Sequence, residues 1–242
     1  MHHNDILARL YQSHSDFVTR RARQTSYVRG DIVGEFGAPI DEVLFPSSGM
    51  ISLVVDLADG GSIEAGMVGR RGVVGGSALF GGETHLNTAF AQLPGSGWTF
   101  KAADLAELAE RAPEIRDLFF RNEQYTLVQG QQTAACNVKH RIPQRLASWI
   151  LRAQYDSGED ELLLTQEYLG QMLGVQRASV SMFAGALQEK GLIFYRRGRV
   201  KILDRNGLEQ EACECHATLR SRHAYLFDDE TNQAASAATA AV

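Results

Sequence analysis

Between Gln176 and Arg205 the chain gathers seven cations, Arg177, Lys190, Arg196, Arg197, Arg199, Lys201 and Arg205, against two acids, Glu189 and Asp204. The local net charge of +5 stands in a chain whose formal net charge is −5. A basic island in an acidic protein is the electrostatic footprint of a phosphate backbone, and the guanidinium of Arg177 can also fork onto the O6 and N7 atoms of a guanine edge. That chemistry requires an element that can enter a groove.

The elements around the island meet that requirement. Leu169 and Leu173 are apolar at i, i+4, Gly170 leaves room for a crossing helix, and Gly174 supplies a turn. A second helix beginning near Gln176 places Val180, Phe183, Ala184 and Leu187 on one stripe and leaves Arg177, Ala178, Ser181, Met182 and Gly185 facing outward. Alternation on either side of Arg197-Gly198 then predicts a two-stranded basic hairpin, a wing beside the helix pair. An apolar position, a small residue, a turn glycine and a β-branched residue six positions later is the helix-turn-helix arrangement. An ordinary helical hairpin shares the same periodicity, so spacing alone leaves both open.

At 242 residues, 44% hydrophobic and 22% charged, the chain can bury one large core or two smaller ones. No apolar run reaches a membrane span, and Met1-His2-His3-Asn4-Asp5 has neither the basic nor the apolar region of a signal peptide, so a cytoplasmic location with no membrane partner is expected. Three cysteines, Cys136, Cys213 and Cys215, do not make a disulfide framework.

From the N-terminus, residues 4–22 predict one or two short amphipathic helices. Between Thr25 and Phe100, short β-rich runs at 31–33, 42–45, 50–55, 63–68 and 88–91 are divided by glycines, which predicts a small barrel or sandwich. Residues 102–111 read as a short helix. From Glu114 to Lys139 there is no proline and only Gly130, giving a helix of roughly 25 residues. Its apolar positions lie on more than one side, which points to pairing with a second copy, although Gln124, Gln129, Gln131 and Gln132 interrupt a heptad seam. A further helix spans Arg141 to Tyr155. Residues 156–161 read as an exposed acidic linker, 208–226 as a helical piece, and 228–242 as a disordered polar tail.

In this order the chain resembles the Crp/Fnr family of bacterial transcription regulators over about residues 25–227. The resemblance rests on Gly30-Asp31-Ile32-Val33, on Gly37 to Ile51, on Thr165, Gly170, Gln171, Gly174, Arg177 and Val180 of the helix-turn-helix, and on Gly191-Leu192-Ile193 with the arginine-rich wing. It implies an α+β fold: a cyclic-nucleotide-binding-like β-roll sensor domain (1–113), a dimerisation helix (114–139) and a winged helix-turn-helix (140–227). It also implies a homodimer that binds double-stranded DNA, with RNA polymerase as a partner. Arg177 matches the family's base-reading arginine. Thr165, Gln176 and Ser179 match backbone-contact positions, with Gln166 and Ser181 beside them and Arg196, Arg197, Arg199 and Lys201 in the wing. Ala178 and Met182 replace the family's other base-reading residues, so the target cannot be borrowed from its best-known members.

The cyclic-nucleotide-binding members hold ribose with a glutamate and phosphate with an arginine. Here Gly76 stands near the acidic position and Leu86-Asn87 or Asn87-Thr88 near the basic one, so cAMP is not expected as effector. Arg70, Arg71, Gly75, Gly76, Ser77, Asn87 and Thr88 are candidates for lining a pocket for some other small molecule. No cofactor or metal is expected. No cysteine precedes Cys136, as an N-terminal iron-sulfur set would need, and His85 and His140 are lone histidines. Cys213-Glu214-Cys215-His216 lacks standard zinc spacing and reads as small apolar residues. Two rival functions are a winged-helix adaptor for a protein partner and a cupin-like metal enzyme. The enzyme lacks its ligands, because His85 is the sole histidine in 25–100. The chain is read as no enzyme.

Overall fold

A computed structural model describes residues 3–58 and 60–228; all but Asp228 of the expected disordered tail falls outside them. Helix α1 (Asp5–Arg21) starts at Asn4, whose side-chain oxygen accepts from the Leu7 N–H at 2.9 Å. The same side chain donates to Pro46 O at 2.9 Å and Gly72 O at 2.8 Å, anchoring α1 to the next domain. A non-helical His14 kinks the helix, which accounts for the ambiguity between one helix and two.

Seven strands follow: β1 (Arg23–Tyr27), β2 (Ile32–Gly34), β3 (Glu42–Pro46), β4 (Met50–Asp56), β5 (Ser62–Val68), β6 (Thr88–Leu93) and β7 (Gly95–Lys101). They form two antiparallel sheets, ordered β1-β7-β3 and β2-β6-β4-β5. Strands β1 and β7 are additions to the sequence-based expectation. Gly95 and Gly97 make β7 look like a turn, yet a Cβ at either would collide with the carbonyl of Ser48 or Phe45, so the glycines permit close strand approach. Phe45 meets Phe100 and Phe119 edge to face, with centroids 5.2 and 5.9 Å apart, and closes the roll against the helices.

Helix α2 (Ala102–Arg111) leads to α3 (Pro113–Lys139), which begins with proline at its first position, where no N–H partner is lost. Ile115, Leu118, Phe119, Asn122, Tyr125 and Gln129 form its buried face. Two amides on that face act alike, seven residues apart. Asn122 accepts from Val73 N at 3.1 Å and donates to Val73 O at 3.5 Å, and Gln129 accepts from Met67 N and donates to Met67 O, both at 3.0 Å. Gln129 therefore does not interrupt a dimer seam; it faces the roll.

Helix α4 (Ile142–Ser157), β8 (Glu161–Leu163), α5 (Gln166–Leu173), α6 (Arg177–Glu189), β9 (Ile193–Arg196), β10 (Arg199–Ile202) and α7 (Arg205–Glu211) build the second half. The hairpin gains a third strand, in the order β8-β10-β9. The acidic linker expected at 156–161 is exposed from Gly158 to Glu161 but shorter than expected: Asp156 and Ser157 are buried in the last turn of α4, the Asp156 carbonyl accepts from Arg70 N at 2.9 Å, and Glu161 begins β8. The expected C-terminal helical piece is two helices, α7 and α8 (Cys215–Phe227), separated at Ala212–Glu214. Helix α8 packs along α3, and its Leu219 and Phe227 join the apolar cluster of α1, α2 and α3 rather than that of the wing.

The halves meet at a buried carboxyl. Glu64 on β5 accepts from Ser52 Oγ at 2.6 Å and from Trp149 Nε1 of α4 at 2.8 Å. Burial pushes this carboxyl up to about 7; the charge of Arg152 and the two hydrogen bonds offset only part of that. Asp156 is likewise raised by burial to about 6, despite Arg152, Arg71 and Arg70 nearby. A carboxyl whose folded pKa lies above its unfolded value binds more protons in the native state, so its stability contribution is lost as pH rises from about 4.5 through about 7. Gln at position 64 keeps an acceptor for Trp149 and a donor towards Ser52. Denaturant unfolding across pH 5 to 8 (roughly the window set by linkage) is expected to show wild-type stability declining with pH and a shallower decline in Glu64→Gln. Identical slopes would assign the pH dependence to other groups.

Candidate nucleic-acid interface and effector cavity

Thr165 caps α5 by accepting from Tyr168 N at 3.3 Å. Gly174, at φ 64°, ends α5 in the left-handed conformation and turns the chain. At Gly170 an added Cβ would lie 2.8 Å from Val175 O, so glycine lets the turn into α6 cross close to α5. Val180, Ala184 and Leu187 are buried beneath α6, whereas Phe183 is only half-buried. Arg177, Ala178, Ser181 and Met182 are exposed on the opposite face, with Ser179 at its margin. Gln166 donates to Ser181 Oγ at 3.2 Å, tying the start of α5 to that face.

The wing is held beside it. Tyr195 donates through its hydroxyl to Leu164 O at 2.9 Å and through its backbone N–H to Gln188 Oε1 at 2.6 Å. Arg197 and Gly198 both have positive φ, which makes the tight hairpin turn. Thr165, Gln166, Arg177 and Arg197 converge on one cleft of about 400 Å³. The cations of the island are not equivalent. Arg199 pairs with Glu161 at 2.5 Å, Lys190 with Glu211 at 2.7 Å, and Arg205 with Glu209 at 3.1 Å. Among the described residues Arg177, Arg196, Arg197 and Lys201 have no acidic partner within salt-bridge distance.

A cavity of about 610 Å³ lies between the β-roll and α3. Gly75, Gly76, Ser77 and Asn87 line it, together with His85, Glu123 and the α3 residues Leu127, Gln131 and Ala134. The other candidates lie elsewhere. Arg71 pairs with Asp5 at 3.2 Å and stacks over Tyr155 at 4.0 Å, Arg70 sits against Gly158, and Thr88 donates to Asp56 at 2.8 Å. No lysine or arginine lines the cavity among the described residues. Burial shifts its titratable groups towards their neutral forms: it lowers the pKa of His85 and raises that of Glu123, the latter opposed in part by Asn122. A Cβ on Gly76 would lie 2.6 Å from Glu123 Oε1, so the carboxyl from α3 already fills the space beside this glycine. Sequence reasoning missed Glu123 because it belongs to the long helix, distant in sequence from the roll.

Residues 24–112 match the cyclic nucleotide-binding domain family, and residues 144–211 match the Crp-like helix-turn-helix domain family. The chain belongs to the Crp/Fnr family. FixK2 from Bradyrhizobium japonicum is similar with a TM-score of 0.69 at 18% identity, over 79% of this chain and 98% of that one. The c-di-GMP responsive global regulator CLP of Xanthomonas campestris gives 0.63 at 16% identity over 79% and 98%. A CRP-family transcriptional regulator from Thermus thermophilus, TTHB099, gives 0.62 at 22% identity over 78% and 96%. At such identities the likeness concerns the fold, that of a DNA-binding transcription regulator. No curated protein matches the sequence, and no described helix is long and apolar enough to cross a membrane.

One cluster in this Crp/Fnr chain departs from the sequence-based expectation. Cys136 and His140, one helical turn apart at the end of α3, meet Cys213 and Cys215 from the corner between α7 and α8. Their ligand-type atoms all lie within 4.8 Å of one another. In the sequence the cysteines read as small apolar residues and His140 as a lone histidine. The one local signal is Cys213-Glu214-Cys215, and it is half of the set; folding supplies the other half. Hydrogen bonding between the thiols, 3.6 Å apart, pushes Cys136 up and Cys213 down.

Proposed function

We propose that the chain is a homodimeric, sequence-specific DNA-binding transcription regulator whose β-roll cavity answers to a ligand other than cAMP. The observation that carries the DNA reading is the exposed face of α6, Arg177, Ala178, Ser181 and Met182, flanked by Arg196, Arg197 and Lys201, which have no acidic partner among the described residues. Arg177 reads guanine, Ala178 and Met182 offer contacts to a thymine methyl, and Thr165, Gln166, Gln176 and Ser179 hold the backbone. RNA polymerase is the natural downstream partner of such a regulator.

The homodimer reading rests on α3. Phe120, Gln124, Leu127, Gln131, Ala134 and Val138 are all exposed and recur at alternating spacings of four and three, which is a heptad seam. Phe120, Leu127 and Val138 are 52%, 62% and 84% exposed, too much apolar surface on one line for a helix without a partner. The glutamines at 124 and 131 sit within the seam, where a buried polar residue sets register at some cost in stability. Two subunits joined this way would present α6 to successive major grooves, roughly 34 Å apart.

The effector reading rests on a cavity that no lysine or arginine among the described residues lines, and on Glu123 beside Gly76. A cyclic phosphate there would lose its charge-assisted partner and meet a carboxyl. The c-di-GMP response of the Xanthomonas relative is not carried over, for the same reason. An uncharged or weakly polar ligand fits the lining better.

In randomised-DNA selection, wild-type protein is expected to yield a two-fold site, and Arg177→Ala to lose roughly 5- to 150-fold of its preference at one base pair per half-site. Replacing Arg196, Arg197 and Lys201 by alanine should weaken binding to every sequence and flatten its salt dependence by up to about 0.9 log units per lost phosphate contact. A salt-independent complex would favour the protein adaptor instead. In sedimentation equilibrium, Leu127→Asp is expected to raise the dimer dissociation constant at least about 30-fold; an unchanged constant would remove α3 as the seam. Calorimetric titration with cAMP should show no saturable heat, and submicromolar binding would overturn the reading of the cavity.

A further inference from the structure

We propose that Cys136, His140, Cys213 and Cys215 form a tetrahedral zinc site that fastens the end of α3 to the corner between α7 and α8. Three sulfurs and an imidazole nitrogen are a donor set of structural zinc. Around one ion with Zn–S of about 2.3 Å and Zn–N of about 2.0–2.1 Å, tetrahedral geometry puts sulfurs about 3.8 Å apart and sulfur and nitrogen about 3.6 Å apart. The Cys136 and Cys213 sulfurs are 3.6 Å apart, and Cys215 Sγ is 3.5 Å from His140 Nδ1.

The surroundings orient these donors as metal ligands. His140 turns Nδ1 to the cluster while Nε2 lies 3.2 Å from the Glu214 carboxylate, an arrangement that fixes the ring and raises its basicity as a ligand. Gln132 Nε2 donates to Cys215 Sγ at 3.1 Å, a hydrogen bond that favours a thiolate. His216 is not among the converging donors, and its Nδ1 lies 3.0 Å from Cys213 O. Cys213 and Cys215 are 2% and 3% exposed, so bulk water does not compete for the ion there.

Other fates of the four residues fit less well. A disulfide would use two sulfurs and leave the third cysteine and the oriented histidine without purpose. The donors converge on a single point, within 4.8 Å of one another, whereas a four-iron cluster attaches its ligands to separate irons. Zinc binding is a proton exchange without redox change: the ion enters, three thiol protons leave to solvent, and the neutral imidazole binds through Nδ1. Because α3 carries the proposed seam and α7 follows the wing, the ion would tie the position of the DNA-reading half to the dimer axis.

The test uses the full-length chain, purified under reducing conditions, with metal content measured by mass spectrometry and cobalt(II) titrated into the chelator-stripped protein. About one zinc per chain is expected, with saturation by about one cobalt and the intense thiolate-to-metal absorption of a tetrahedral sulfur-rich site. The double variant Cys213→Ser, Cys215→Ser should lose the zinc and the absorption, and His140→Ala should retain the thiolate absorption while altering the ligand-field bands. Wild-type protein with three titratable thiols, no zinc and no cobalt spectrum would overturn the proposal, whether or not any variant folds. So would undiminished zinc in the double variant, or iron with acid-labile sulfide. None of these readouts involves DNA, so failure here is separate from failure of the regulator reading.

Discussion

Burying the edge of a sheet leaves backbone N–H and C=O groups that water can no longer reach, and each costs on the order of 1–3 kcal/mol if left unpaired. Strand β5 is the edge of its four-stranded sheet, and α3 lies across it. Gln129 answers the Met67 backbone with an amide that donates and accepts at once, much as a neighbouring strand would, and Asn122 does the same for Val73. These two side chains fix both the rotation and the axial position of α3. Sliding the helix by one residue would break both pairs together.

Once the rotation is fixed, the other faces of α3 follow. Phe120 and Leu127, each two residues before a backbone-pairing amide and so about 200° round the helix, are turned to the outside. Between these faces Glu123 meets Gly76 in the cavity, whose rim Leu127, Gln131 and Ala134 of the outer face also line. The same three residues belong to the exposed seam. A ligand in the cavity would therefore touch the surface on which two subunits would meet, without a long chain of intermediates.

The amides also reach the other half. Gln129 Oε1 accepts a second hydrogen bond, from Arg152 of α4 at 2.9 Å, and α4 carries Trp149 to Glu64. The contact between roll and winged helix is thus a buried polar network on an apolar core. Such a network specifies one arrangement strongly because every partner left behind by a shift is buried. Tyr168 extends the contact at the edge, stacking near Phe90 and receiving Arg29 over its ring.

Element types were largely legible from the residues: the alternation of the short strands, the capping and glycine signals of α5 and α6, and the Arg197-Gly198 turn all act within a few residues of themselves. Strands β1 and β7 were not, since their glycines and polar residues make sense only against the Ser48 and Phe45 carbonyls that approach them. The start of the acidic linker likewise looked exposed because nothing local shows that Asp156 faces Arg70, Arg71 and Arg152. At the candidate sites the division is sharper. Arg177 and the outward face of α6 follow from helical periodicity, which is a local property. The pairing of Arg199 with Glu161, the absence of Arg70 and Arg71 from the cavity, and the meeting of Cys136 and His140 with Cys213 and Cys215 depend on contacts between distant segments. Sequence alone thus determined which residues share a helix face or a turn, because backbone geometry repeats over a few residues; only the tertiary structure decided which charges are neutralised and which ligands converge, because those depend on how separated elements pack.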